Sequence, residues 1–551
     1  MDWWKSRKLW LGLLMSVLVV QTWAFWTATD MEVTSAGWLL DDAFFYAVIA
    51  EHLVSRGAME FYPGMETNGY QPLWMALITA AHGLVPGLSA LAWIRGLSVA
   101  AYLAFAALAM WVMTRDKEVG AWAAAGFAVF VLLQPSIQYW VLNGLETAVT
   151  LVVFLGAMIQ SWRVMERGDD VGIWDVVALA LLGVLCFLAR TDLFVVSLVL
   201  AVWLLRRLGW DKRVWIFGGV TAACVVPYLA FNWVKFGALV PLSGQAQQFY
   251  LSLYHGTLWE YLNSNQWHGV LVAFAQLIPF RSEDTGGVVV PLLEAAVMVV
   301  PVGAGYAAFG KRRFLGEGTL AQVFRLFAII VGLHLLVMYG YHRGVRSFAA
   351  YYFAPTVMVT AMIVAYAVAR RVKQWLKGRE ENKERRYWAI GVGAAVALWL
   401  IVVASQTVET FKVAPNPVWE PRVALSLQMD ERADEEATIG AYWPGALAYF
   451  TKHELMPLDG VIASAEFQQE VMREQAALPY LCEHPSPMLT VYLNRRPETW
   501  AKSQEPPQIV EWSAAYKEEM WEFGMDRFEV VGFEAVRGDE RGWYLLRVLD
   551  C

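Results

Sequence analysis

Long apolar stretches recur from residue 9 to residue 406, each reaching or approaching the roughly 20 residues a helix needs to cross a bilayer. Backbone polar groups inside a bilayer must be satisfied within their own segment, so these stretches are read as helices. Composition agrees. Hydrophobic residues make up 58% of the 551 and charged residues 17%, too thin a charged shell for a soluble chain of this size. Spans are placed near 9–28, 91–113, 119–134, 144–162, 175–189, 193–206, 213–231, 287–308, 319–340, 348–369 and 388–406. That is about eleven crossings, or about 11 to 13 if the two short apolar pieces at 72–86 and 270–280 are counted.

The basic residues test this scheme. Lys5, Arg7 and Lys8, Arg115 and Lys117, Arg163 and Arg167, Arg206 to Arg213, Lys311 to Arg313, and the run from Arg370 to Arg386 all fall on one side, which the positive-inside rule makes cytoplasmic. A full span at 72–86 would move every later cluster outside, so that piece is read as partial. The first apolar run is long for a signal peptide and lacks a small-x-small cleavage site, so it is read as a retained span. The chain then divides into a membrane domain, 1–406, with an external loop at 29–90, and a soluble extracytoplasmic domain, 407–551. In the latter, ATIGAY and ELMPL read as strands and PGALAYF as a helix, the pattern of a small α/β domain. If that domain is exported, Cys482 and Cys551 can pair, although spacing does not decide it. Cys186 and Cys224 lie in apolar runs and are read as packing residues. A net charge of -7 argues against a nucleic-acid partner.

The first external loop carries the most chemistry: LLDDAFFYAVIAEHLVSRGAMEFYPGMETNGYQPLW. Apolar residues recur at helical spacing from Asp41 to Leu53, which predicts an amphipathic helix on the membrane surface. Asp41 and Asp42 stand at its N-terminal end, where the helix dipole favours carboxylates. One of them can serve as a cap while the other faces a cleft. Arg190 sits in a short turn between apolar segments, and an arginine there is a functional candidate by default, unless it pairs with Asp192. Glu146 stands at the outer end of a span, either as a site residue, as the group that orients Arg190, or as charge compensation at a helix start. Arg343 and Arg346 form an outer basic patch that suits phosphate or lipid headgroups, or is merely interfacial. His52, His255 and His342 are lone histidines, read as polar residues and not as ligands.

Six segments together resemble the GT-C superfamily of integral membrane glycosyltransferases, nearest its arabinofuranosyltransferase-like bacterial branch. In order they are DDAFFY (41–46) with FYPG (61–64), NGYQPLW (68–74), NGLET (143–147), LARTD (188–192), NWVKFGALVP (232–241), and IGAYWPGALAYF with MPLDG (439–460). The resemblance implies a polytopic helical GT-C fold with an extracytoplasmic α/β domain. It implies a reaction too: inverting transfer of a monosaccharide from a polyprenyl-phosphate donor to a glycan, lipid or protein acceptor of the cell envelope, outside the cytoplasmic membrane.

Asp41 aligns with the family's catalytic aspartate and would be the general base, with Asp42 as auxiliary. Arg190, Arg343 and Arg346 would bind the donor phosphate. Asn68, Tyr70, Glu146 and Asp192 would contact substrate, although Asn68-Gly69 is also a plain turn signal. No cofactor is certain. Some relatives use a divalent cation, and Asp41, Asp42 and Glu146 are oxygen donors of the right kind. Two departures stand out. SGQAQQ follows FGALVP where many relatives place a lysine, and Tyr442-Trp443-Pro444 replaces a Trp-Asp pair. The competing readings are a transporter or flippase of lipid-linked sugar, a non-catalytic glycan- or lipid-binding protein, and a ligase that moves whole oligosaccharides.

Overall fold

The computed structural model describes residues 3–254, 315–341, 350–377, 398–408, 416, 418–474, 476–493, 527–535, 542–549 and 551. The expected pieces at 270–280 and 287–308, the histidines 255 and 342, and both Arg343 and Arg346 lie outside these residues. The described helices before residue 255 are α1 (Trp3–Thr27), α2 (Asp30–Ser35), α3 (Asp41–Arg56), α4 (Pro72–Leu84), α5 (Ala90–Met113), α6 (Gly120–Phe127), α7 (Pro135–Val141), α8 (Thr147–Arg167), α9 (Ile173–Ala189), α10 (Phe194–Leu208), α11 (Lys212–Phe236) and α12 (Leu242–Tyr254). After them come α13 (Thr319–Tyr341), α14 (Ala354–Lys377), α15 (Leu398–Val408), α16 (Trp419–Arg432), α17 (Gly445–Phe450) and α18 (Ala477–Cys482).

Among the described residues, five helices are long and apolar enough to cross a membrane, or six if one bent pair is a single span. The five lie in α5, α8, α11, α13 and the segment Tyr351–Trp375. Large apolar side chains stand exposed along α11, among them Trp215, Val226 and Val234, a surface suited to lipid rather than water. The expected spans at 175–189 and 193–206 form helices of 17 and 15 residues, short for a bilayer. The 72–86 piece is a 13-residue helix, about 20 Å long at 1.5 Å per residue and too short to cross.

The chain forms two compact units. One comprises Met1–Thr27, Gly96–Val226 and Trp259–Lys412; the other comprises Ala28–Arg95, Pro227–Leu258 and Val413–Cys551, each taken over its described residues. The division at residue 406 expected from sequence followed chain order. The second unit instead gathers the first loop, the 227–254 segment and the C-terminal residues.

In the first unit, α8 packs on α9 and α13, and α14 packs on α6 and α13. The expected straight span at 119–134 is broken. A π-helical turn, Ala128–Leu132, ends at Gln134-Pro135, and the chain bends by 75° into α7. Proline has no N–H to continue the ladder, which frees carbonyls that an apolar environment would penalise. Buried side chains answer them. Gln138 and Tyr102 donate to the Leu132 carbonyl, Gln21 donates to that of Leu133, and Gln138 also donates to Gln21 at 2.8 Å.

The second unit is built on a mixed five-stranded sheet of order β2-β1-β3-β5-β4: β1 (Ile439–Ala441), β2 (Leu455–Pro457), β3 (Met488–Leu493), β4 (Phe528–Ala535) and β5 (Gly542–Val548). β2, β1 and β3 run parallel, while β3, β5 and β4 pair antiparallel. The central strands read as continuous apolar runs because both faces are covered. Ile439, Met488, Trp543 and Leu545 face Leu425 and Met429 of α16. Leu489, Val491, Tyr544 and Leu546 face Phe467, Val471 and Leu481. Cys482 and Cys551 form a disulfide, with Cα atoms 5.4 Å apart.

The expected amphipathic helix is α3, and its apolar stripe is covered by protein. Residues Ala43 to Ala50 are all buried, packed between α4 and α17. Phe44 meets Tyr449 at 5.7 Å and Phe450 at 6.2 Å between ring centroids.

Candidate functional site

Parallel pairing of β1 with β2 places the segments that follow them, Tyr442–Ala446 and Leu458–Val461, side by side. The carboxyl ends of parallel strands are where such sheets collect ligands. Trp443 adopts φ 63, a left-handed conformation costly for a tryptophan and held only where the surroundings enforce it. Its N–H faces Asp459 at 3.4 Å, and its carbonyl accepts from Arg422 of α16. Pro444 caps α17, whose first N–H groups then point at Asp41.

Asp41 does not cap its own helix; that position belongs to Leu40. It instead terminates α17, accepting from Gly445 N–H at 3.2 Å and Ala446 N–H at 2.8 Å. Arg422 completes the set, its guanidinium 2.6 Å from Asp41 Oδ1. Gly445 is required by this approach, since a Cβ there would stand 2.3 Å from the Asp41 carbonyl oxygen and 2.8 Å from its Oδ1. The cap expected at the start of α3 is not made by a side chain there; Asp41 caps α17 instead. A carboxylate offers about four lone-pair directions, and three are engaged among the described residues.

Arg422 is buried, between the faces of Trp419 (5.1 Å) and Trp543 (4.9 Å). Burial works against its charge, and Asp41, Asp459 and Asp42 hold it. Asp459 lies at the same strand ends and accepts from Val461 N–H at 3.1 Å. Burial pushes its carboxyl up to about 7, with Asp41 adding to the rise and the Val461 bond and Arg422 opposing it.

That shift has a sign. Between pH about 4 and about 7 the folded chain keeps a proton on Asp459 that the unfolded chain has released, so stability falls as pH rises through that window. Asp459→Asn removes the titration. Melting followed from pH 5 to pH 8 should show a decline in the wild type, of up to about 3 kcal/mol, that the variant lacks. Parallel profiles would refute the assignment.

The first unit holds the other expected residues. Arg190 follows the last residue of α9 and is 3% exposed. It donates to Glu146 at 2.9 Å and to Asp192 at 3.1 Å, and its guanidinium lies 4.8 Å above the Tyr352 ring. Asp192 also meets His334 Nε2 at 2.6 Å, and His334 Nδ1 lies 3.1 Å from the Thr356 hydroxyl. Glu146, Arg190 and Asp192 are therefore brought together, with Arg190 as the charge centre of an ion cluster. Asp41 and Asp42 belong to the other unit. Among the described residues no group of three or more His, Cys, Asp or Glu is arranged to hold a metal ion, and the Glu146 carboxylate is taken by Arg190. His52 bonds the Glu60 carbonyl at 2.9 Å.

Neither Arg422 nor His334 stands out in the sequence. Arg422 sits in an unremarked helix, VWEPRVALSLQ, and only its tertiary partners reveal it. Asp459 was visible within MPLDG but carried no role.

No protein-family model and no curated protein sequence matches the chain. Solved structures do. ArnT from Cupriavidus metallidurans, bound to undecaprenyl phosphate, is 15% identical and superposes with a TM-score of 0.54 over 97% of this chain and 98% of its own. The archaeal oligosaccharyltransferase AglB from Archaeoglobus fulgidus, in complex with an inhibitory peptide and a dolichol-phosphate, is 13% identical. It superposes with a TM-score of 0.52 over 87% of this chain and 69% of its own. At these identities the likeness is one of fold: the chain is a multi-pass membrane protein that shares the GT-C fold of these structures.

Proposed function

We propose that this chain is an inverting glycosyltransferase that moves a monosaccharide from a polyprenyl-phosphate donor to a cell-envelope acceptor. The observation that carries the reading is the Asp41 carboxylate, fixed by Arg422 and the start of α17 with one acceptor direction left. An acceptor hydroxyl placed there gives its proton to Asp41. Its oxygen attacks the anomeric carbon from the face opposite the phosphate, and the sugar–phosphate bond breaks to leave the lipid phosphate anion. The leaving charge calls for cations, for which Arg343 and Arg346 are the candidates. Asp42, next to the base and within the field of Arg422, assists in holding the acceptor. The full-length likeness to a structure bound to undecaprenyl phosphate supports the donor class.

The basic clusters support a cytoplasmic N-terminus in the cytoplasmic membrane. The Cys482–Cys551 disulfide supports an oxidising, extracytoplasmic setting for the second unit.

Asp41→Asn keeps the shape of the side chain and removes the base. Transfer from a radiolabelled polyprenyl-phosphate sugar into membrane glycans should fall at least about a hundredfold, the scale of a lost general base. The variant should still purify as a folded protein. Full activity would sink the mechanism.

A further inference from the structure

The second unit contains a cavity of about 440 Å³ between α3, α4 and the C-terminal end of α11. It is separate from the Asp41 cluster in its residues. Its walls are apolar, Leu53, Met75 and Phe231 among them, and none of the residues lining it is charged. Two carboxamides line it from deep burial: Asn68 is 4% exposed and Asn232 is 1% exposed. The Asn68 oxygen accepts from Leu242 N–H at 3.0 Å, which fixes the flip of the amide and leaves its NH2 without an acceptor among the described residues. The Asn232 NH2 likewise has none; it approaches the Tyr228 hydroxyl without reaching hydrogen-bond geometry. The Thr79 hydroxyl, on the same wall, is also unpartnered.

A buried donor with no acceptor costs about 1–3 kcal/mol. Three polar groups without a partner among the described residues, on one apolar cavity, describe a site built for a ligand. The donors call for oxygen acceptors. The absence of any lining charge disfavours a phosphate, whose burial there would go unpaired. The apolar walls call for hydrocarbon.

We propose that this cavity binds an uncharged amphiphile, an alkyl- or prenyl-chain glycoside, with sugar or ether oxygens on Asn68 and Asn232 and its chain along the Leu53–Met75 wall. Binding stands independently of the transferase reading; the further assignment of this ligand as the acceptor rests on that reading.

The test uses the full chain in lipid nanodiscs with octyl β-D-glucoside carrying a diazirine on its alkyl chain. After irradiation, mapped labels should fall on peptides within 53–80 and 228–236, and excess unlabelled octyl glucoside should remove them. Ala76→Trp fills the cavity from an exposed position of α4 and should cut labelling about tenfold with unchanged melting. Asn232→Leu should weaken binding about tenfold, the scale of one lost hydrogen bond. Labels spread along all lipid-facing helices and indifferent to Ala76→Trp would overturn the site. Equal labelling by the diazirine analogue of octyl phosphate would overturn the uncharged class. Binding retained by Asp41→Asn while transfer is lost separates this site from the catalytic reading. If the glucoside still binds while Asp41→Asn transfers normally, only the acceptor assignment fails.

Discussion

Replacing Arg422 by methionine should lower the stability of the second unit by about 3–5 kcal/mol, the scale of a broken buried ion pair. The side chain is 2% exposed and touches both an anion and two aromatic faces. Without it, Asp41 remains half-buried with only the α17 N–H groups to balance its charge, and Asp459 loses the cation that opposes its protonation. Methionine restores some volume but no charge. Lysine restores charge but not the planar guanidinium that lies between the Trp419 and Trp543 faces, so it should recover only part of the loss. The sharper check is the double variant. Arg422→Met with Asp41→Asn removes both charges and should be more stable than Arg422→Met alone. A melt of Arg422→Met at wild-type temperature, at neutral pH in one detergent, would show that the pair is not what anchors the base. Transfer should fall with Arg422→Met even at temperatures where the protein is folded, because the lone-pair direction of Asp41 is no longer set.

The second large effect is expected at Arg190. Arg190→Met leaves Glu146 and Asp192 buried without their shared cation, a loss again of about 3–5 kcal/mol. Adding Glu146→Gln to it should return part of that loss, since one unpaired carboxylate disappears. A phosphate clamp behaves otherwise. Its removal would leave melting unchanged and raise the KM for the lipid-phosphate donor, with little change in kcat. Thermal unfolding and donor titration on the same preparation therefore distinguish a cluster centre from a donor site. Asp192 adds a second route for the charge through His334, so Asp192→Asn should cost less than Arg190→Met.

Much of the architecture is legible in local pattern. Segment length and hydropathy located α5, α8, α11 and α13, because a bilayer imposes one requirement on every residue of a span. The brief strand–helix–strand reading at 439–457 also matches β1, α17 and β2. Local pattern failed where a segment's partner decides its role. The stripe of α3 looks the same whether lipid or protein covers it, and only the packing of Phe44 on α17 distinguishes the two. The bend after Leu132 was hidden because a proline's effect depends on which distant side chains can satisfy the freed carbonyls. Here these are Gln21, Tyr102 and Gln138.

By itself, the sequence determined that this chain is a polytopic helical membrane protein with an acidic pair at the start of a helix. Periodicity, hydrophobic length and helix-dipole chemistry are properties of neighbouring residues. Only the tertiary structure decided what the pair does. Asp41 meets Arg422 across 381 positions of chain because β1 and β2 pair in parallel and turn the start of α17 toward α3. Coulomb attraction and hydrogen bonding act over a few ångströms of space, whatever the separation along the chain.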